Sequence, residues 1–434
     1  MFGIIGILVS LVILIYIVYK GVGVLPASLL CSVLILLSNK INPWDGMVQA
    51  YMGGFTAFAT GFLFIFILGS MFGQAMNDSG AARALSLKIT QISGSKWAIG
   101  ILMLTTLILT YGGINAFVVI FTVLPIAKPI FYEAHLPKRI MTAAIMAGGN
   151  IACSVIPGTP SVQNIIPTTF LGTNLFAAPA LGIFLAVFLF ISCWFYLEWE
   201  TKRCTAAGTI AESEYITEKE AKGAVDEKDL PPWYFGAIPM IILIGVLFIS
   251  QRYITPTYAV CIASILGTLA VYAMNWKRIA NKINTLNAGL TNGIIPLINA
   301  CGIIAFGAVV QNTPAFQELI GYVISINLNP LVTTFIAVNI LAGVSGSGSG
   351  GLRIFMESMS QQLLATGVNA NALHRVSTIA CIGLDSLPHN ISAVSVFSVV
   401  GVSYKEAYKN YFVVTGILPI IAGVISLFLA MLLY

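Results

Sequence analysis

The sequence predicts an all-α polytopic membrane protein built from two inverted repeats, each with a re-entrant hairpin and a broken transmembrane helix. Three observations carry this. Of 434 residues, 58% are hydrophobic and 9% charged, where a soluble domain has about 25% charged residues. Apolar runs of spanning length recur along the chain, a bilayer crossing needing ~20 residues. A single long hydrophilic segment divides the chain into halves whose landmarks follow the same order.

The first half, 1–197, opens with apolar runs at 2–19, 22–38 and 56–76. No basic residue precedes the run 2–19 and no small-residue cleavage site follows it, so it reads as a retained helix and not a signal peptide. A polar junction follows, QAMNDSGAA at 74–82, where Asp78 reads as a helix-end cap. Next is an apolar hairpin with small residues at its tip, TYGGINAF at 110–117. Lys138-Arg139 leads into a helix interrupted by proline, VIPGTPSVQNIIP at 155–167, so that hairpin and broken helix span 97–170.

Residues 198–232 read as a hydrophilic cytoplasmic linker, passive or regulatory. They hold Glu198, Glu200 and a dense mixed run from Lys202 to Asp229, closed by Pro231-Pro232. The second half, 233–434, repeats the order. It has runs at 233–250, 254–274 and 289–311, the junction VVQNTPAF at 309–316, and the tip SGSGSGG at 345–351. The basic pair His374-Arg375 and the break GLDSLPHN at 383–390 follow, so that hairpin and broken helix span 329–400. Repeats of this kind are common in secondary transporters. With the amino terminus outside and both tips re-entrant, each half crosses an odd number of times, which inverts one against the other. Lys20, Arg83, Lys88, Lys96, Lys128, Lys138, Arg139, Lys277, Arg278, Lys282, Lys405 and Lys409 then fall inside, and Lys40, Arg252 and Arg375 outside, as positive-inside topology requires.

Several function classes are disfavoured. No basic stripe is interleaved with aromatics, so nucleic acid is not an expected partner. The seven cysteines form no C-x-x-C, which supports neither a disulfide framework nor a metal site. No phosphate loop, G-x-S-x-G elbow or H-E-x-x-H occurs, so neither ATP-driven transport nor an enzyme is supported, and no cofactor is expected.

Backbone breaks at membrane depth are tolerated only where protein or a watery cavity satisfies the freed groups. Broken helix ends expose N–H groups that hold carboxylates and carbonyls that hold cations. The candidate binding groups are therefore Gly112, Gly113 and Asn115; Thr159, Ser161, Gln163 and Asn164; Ser345, Gly346, Ser347, Gly348, Ser349, Gly350 and Gly351; and Asn390. Ionisable residues at membrane depth are functional candidates by default, and Asp385, His389 and Glu357 are the proton-coupling candidates. Asp385 and His389 are four apart and share a face if the helical turn persists to Pro388. Partial burial raises a carboxylate's pKa and histidine titrates near neutrality, so the pair can carry a proton; the alternative is a structural pair that holds the break. Arg353 can clamp a substrate carboxylate or simply neutralise Glu357 at i+4. His374-Arg375, and His135 near Lys138-Arg139, read as loop or interface residues.

The stretches YGGINAFVVIFTVLPIAKPIF, IPGTPSVQNIIPTTFLGT, SGSGSGGLRI and LPHNISAVSVFSVVGVSYKEAY resemble the gluconate:proton symporter family (gluconate permease-like) of the wider ion-transporter superfamily. The resemblance covers nearly the whole chain, most specifically 72–175 and 306–412. It implies a multi-pass symporter of the bacterial inner membrane that takes up a small organic acid with protons. Gluconate, related sugar acids, hydroxy acids and polar amino acids are the implied cargo range, and sodium is the alternative coupling ion. It also implies a homodimer with a scaffold from 2–76 and 233–311 and an elevator-type transport domain from the hairpins and broken helices. Arg353 departs from the small or apolar residue expected there.

Overall fold

The structure, a computed structural model, describes residues 2–93, 97–111, 116–217, 220, 229–250, 253–325 and 328–434. Among these the regular structure is helical, apart from one isolated β-bridge between Pro137 and Tyr215.

In the first half run α1 (Phe2–Tyr19), α2 (Val24–Ser38), α3 (Pro43–Asp78), α4 (Ala81–Ser93), α5 (Ala98–Tyr111), α6 (Ala116–Glu133), α7 (Lys138–Asn150), α8 (Val162–Leu171) and α9 (Pro179–Ala206). In the second run α10 (Tyr234–Ser250), α11 (Pro256–Asn275), α12 (Lys282–Gln311), α13 (Pro314–Ile324), α14 (Pro330–Ser345), α15 (Gly348–Ala365), α16 (Ala370–Ala380), α17 (Ile391–Val400) and α18 (Tyr404–Leu433). The succession is the same in both: two apolar helices, a long helix, a short one, a helical pair, an interrupted helix and a long closing helix. Among the described residues six helices are long and apolar enough to cross a membrane: α1, α3, α9, α11 over Thr257–Asn275, α12 and α18. The protein is thus an all-α polytopic membrane protein.

Polar residues followed by proline start several of these helices. The side chains of Asn42, Thr313 and Asn329 accept from backbone N–H groups in the first turn, and proline stands next in each case. Proline's missing N–H is harmless there, because first-turn donors have no partner within the helix.

The long helices α3 and α12 pack along one another at the centre. Small residues permit it: a Cβ at Gly289 would lie 2.6 Å from Met71 Cα, and one at Gly293 would lie 2.6 Å from the Phe66 carbonyl. Close backbone approach of this kind replaces the hydrophobic effect as the force between helices in lipid. α12 buries 67% of its apolar window and α1 only 28%, so α12 is central and α1 is turned outward. The exposed side chains of α1 include Phe2, Ile5, Leu8, Val9 and Val12. α2 packs on α12 and α11 on α3, while α6 and α17 lie against the α3–α12 pair. A second core joins Ile151, Val155, Leu171, Leu341, Phe355 and Leu373, from the turn after α7 and from α8, α14, α15 and α16.

The interruptions differ in detail from the sequence reading. In the first half α7 loosens into a π turn over Ile151–Val155, the chain is irregular over 156–161, and α8 begins at Val162. Pro167, expected within the break, sits buried inside α8. In the second half the break runs from Cys381 to Asn390, with a single 3-10 turn over Leu384–Ser386.

Candidate functional site

Helix α14 ends at Ser345, the chain reverses through Gly346 at φ +66°, and α15 starts at Gly348. Only glycine adopts that left-handed turn without cost. Ser347 caps α15, its hydroxyl accepting from Gly350 N at 3.2 Å, and Ser345 Oγ donates to Ser347 O at 3.2 Å. The hydroxyls of Ser347 and Ser349 are 3.5 Å apart.

This tip rests on the second break. A Cβ at Gly348 would lie 2.8 Å from Asp385 Oδ2, so a carboxylate stands against the positive end of α15. Ser386 Oγ lies 3.2 Å from Asp385 Oδ1, and Asn390 Nδ2 lies 3.5 Å from both Asp385 Oδ2 and Gly346 O. His389 Nε2 is 2.8 Å from Gly343 O. Asp385 and His389 therefore bind different partners on the hairpin; the helical turn that would align them is replaced by the 3-10 turn and Pro388. Tyr404 Oη donates to Pro388 O at 2.8 Å and Tyr408 Oη to Ser386 O at 3.2 Å, bracing carbonyls that the break leaves without helical partners.

The first break is held by its own side chains and by the second half. Ser161 Oγ donates to Cys153 O. Asn164 Nδ2 donates to Thr159 O at 2.9 Å and to Leu175 O at 3.0 Å. Asn164 Oδ1 is 2.9 Å from His374 Nε2 and accepts from Arg375 Nη1 at 3.4 Å. Asn164 is thus engaged on both ends of its amide. Thr159 is buried with Oγ1 3.5 Å from Tyr111 O, and Gln163 is half-buried beside it. The two breaks meet where Ser154 Oγ lies 3.9 Å from Cys381 Sγ.

A cavity of about 400 Å³ lies between the tip, α8 and the carboxyl-terminal half of α12. Its wall includes Ser345, Ser347, Ser349, Gly350, Arg353 and His389. His389 Nδ1 is buried and has no hydrogen-bond partner among the described residues. Gly112, Gly113 and Asn115 lie outside the described residues. Glu357 is not brought into the cluster: it is half-exposed, one turn along α15, and accepts from Arg353 Nε at 2.7 Å. Asp78 is also more than a cap, since its carboxylate accepts from Gln74 Nε2 at 2.8 Å and Thr285 Oγ1 at 2.6 Å, tying α3 to α12.

His374 and Arg375 overturn their reading as loop or interface residues. Both are wholly buried. Arg375 donates from Nε and Nη2 to Ala177 O at 3.2 and 2.8 Å, and from Nη1 to Val155 O at 3.3 Å, while His374 Nδ1 is 2.7 Å from Thr173 Oγ1. A guanidinium from the second half thus satisfies carbonyls that the first break exposes. The available signal was a cation inside a run of small and hydroxyl residues leading into a break. Among the described residues no group of three or more His, Cys, Asp or Glu is placed to hold a metal ion.

No family model matches the chain. It is similar over nearly its full length to bacterial transport proteins. One is the uncharacterized transporter YxjC of Bacillus subtilis, 29% identical, covering 94% of this chain and 95% of that protein. Two others are from Haemophilus influenzae: an uncharacterized permease, 24% identical over 84% of this chain and 79% of that one, and an uncharacterized transporter, 23% identical over 93% of each.

Proposed function

We propose that this polytopic protein, related to bacterial transporters, is a secondary active symporter that carries a small organic acid anion into the cell with protons. A gluconate-like sugar acid or hydroxy acid is the preferred cargo. One observation carries the reading: the serine-glycine tip of the α14–α15 hairpin rests on a broken helix, against Asp385 and His389, beside a cavity of about 400 Å³. An ionised Asp385 holds the amino-terminal end of α15 by its charge; protonation removes that attraction and leaves the first-turn N–H groups to a substrate carboxylate. Serine hydroxyls, the Gly350 region and His389 Nδ1 then read the hydroxyls of the cargo, and Arg353 at the rim adds a cation. The identical succession of helices in both halves supports inverted repeats. In this reading α1–α3 and α10–α12 form a scaffold, and the hairpins and broken helices form an elevator-type transport domain within an inner-membrane homodimer. The motif resemblance is what favours gluconate-like acids over other small molecules.

The test is uptake into proteoliposomes under an imposed pH gradient. Asp385→Asn should abolish pH-driven accumulation of gluconate while sparing exchange; unchanged accumulation would refute the role. Sodium coupling of a carboxylate or polar amino acid is the second reading, favoured by the carbonyl oxygens of Gly343 and Gly346 facing side chains of the break. Uptake that requires sodium at a fixed proton gradient would decide for it.

A further inference from the structure

A second and larger cavity, about 520 Å³, lies at the other end of α17, where α3, α6 and α12 surround the end of that helix. Its lining is polar at several points: Gln74 and Asn77 from α3, Asn292 from α12, Ser398 from α17, Lys128 from α6, and Glu220 from the central linker. Along α12 it occupies residues 292–296, whereas the cavity at the hairpin tip occupies 303–311. The same helix thus lines both chambers.

The linker enters this chamber in a defined way. Tyr215 pairs with Pro137 in the isolated bridge and stacks on His135 at 4.7 Å. Arg139 Nε lies 3.1 Å from Glu214 Oε2, and Lys138 Nζ lies 2.8 Å from Glu220 Oε1. Lys138 is nearly buried, and Lys128 lies within electrostatic reach of both Glu220 and Lys138. Lys138 is therefore paired with a carboxylate supplied by a hydrophilic connector, and Lys128 lines the same chamber as that carboxylate.

We propose that Lys128, on the wall of the chamber opposite the hairpin tip, and Lys138, paired with Glu220 at the edge of that chamber, form a second carboxylate-binding site, and that Glu220 occupies it as a tethered stand-in for a small carboxylate anion. The ligand class follows from the chemistry present: one ammonium paired with a carboxylate and a second on the same chamber wall, with amide and hydroxyl groups of Gln74, Asn77, Asn292 and Ser398 on the adjoining wall suited to hydroxyls. Under the proposed function, on which the transport meaning of this site rests, it is where a departing anion exchanges with the linker. As a carboxylate site it stands on the lysines and the observed carboxylate alone.

The experiment is amine acylation of the full-length protein with a water-soluble N-hydroxysuccinimide acetate, read by peptide mass spectrometry. In the native chain Lys128 and Lys138 should react slowly. In Glu220→Gln they should react several-fold faster, and sodium gluconate or sodium acetate should restore protection that sodium chloride at equal ionic strength does not. Lys128→Met in the Glu220→Gln background should remove the carboxylate protection of Lys138. Equal reactivity in native and Glu220→Gln chains, or acceleration without carboxylate protection, overturns the proposal. Protection by acetate in a protein that transports no organic acid would sink the proposed function and leave this site standing; uptake without protection would do the reverse.

Discussion

His389 Nε2 lies 2.8 Å from the carbonyl oxygen of Gly343, joining the second helix break to the hairpin that covers it. A carbonyl only accepts, so Nε2 must carry the hydrogen, and Nδ1, buried and without a partner among the described residues, presents its lone pair. One ring nitrogen therefore holds the hairpin and the other is available to a ligand hydroxyl or a proton. Glutamine at 389 retains an N–H donor for Gly343 but no basic nitrogen. His389→Gln should keep the thermal stability of the native protein in detergent and lose transport coupling. His389→Ala should also lose about 1–3 kcal/mol, the usual cost of leaving a buried polar group unpaired. Equal stability losses in the two variants would show that the ring packs and does not latch.

Gly346 combines a positive φ of 66° with contact: an added Cβ would stand 2.6 Å from His389 Cδ2. Gly367, at the end of α15, has φ +81° and open space around it. Alanine at either position incurs the left-handed penalty of roughly 1–2 kcal/mol, but only Gly346→Ala also pushes the tip off the break. Both variants should melt earlier, and only Gly346→Ala should lose uptake. Retained uptake in Gly346→Ala would mean that the tip need not touch His389.

What the sequence disclosed was local and covalent: apolar run lengths, proline and glycine breaks, and polar residues gathered at them. The order of helices and the placement of Ser345–Gly351 beside Asp385 and His389 followed from those signals. Cross-half contacts were not legible. Nothing in LHRV shows that Arg375 reaches carbonyls near residues 155 and 177, because that needs the relative placement of two broken helices. Glu357 pairs with Arg353 one turn along α15, the local alternative that the i+4 spacing already offered. The linker's docking was equally hidden, since Glu220 meets Lys138 through tertiary placement and not through any local pattern.

Arg375 offers three nitrogens to three acceptors, the carbonyls of Val155 and Ala177 and the amide oxygen of Asn164. Lysine presents a single ammonium and cannot span that fork. Arg375→Met should strand two buried carbonyls, each worth roughly 1–3 kcal/mol, and give poorly folded protein. Arg375→Lys should fall between the native chain and Arg375→Met in detergent melting temperature, with cargo affinity changed less than stability. A loss of binding with native melting would instead place the guanidinium on the ligand.

The linker contact carries a pH signature with a definite sign. Burial raises the Glu220 carboxyl, but hydrogen bonds from Lys138 and from the backbone and hydroxyl of Thr217 more than offset it, leaving it below its ordinary value of 4.5. A carboxylate with a lowered folded-state pKa contributes stabilisation fully present above the unfolded value and lost as pH falls through the folded one. Linker docking should therefore be unchanged from pH 7 to pH 5 and should weaken only below 4.5. Among the described residues the charged and polar groups that act on Glu220 are Lys138, Lys128 and Thr217, none of them an acid. Backbone hydrogen exchange at Tyr215 to Thr217, corrected for intrinsic rates, measures this directly. Glu220→Gln should remove the pH dependence and lower protection at every pH. Release of the segment already between pH 7 and pH 6 would show that a group other than this carboxylate governs the contact.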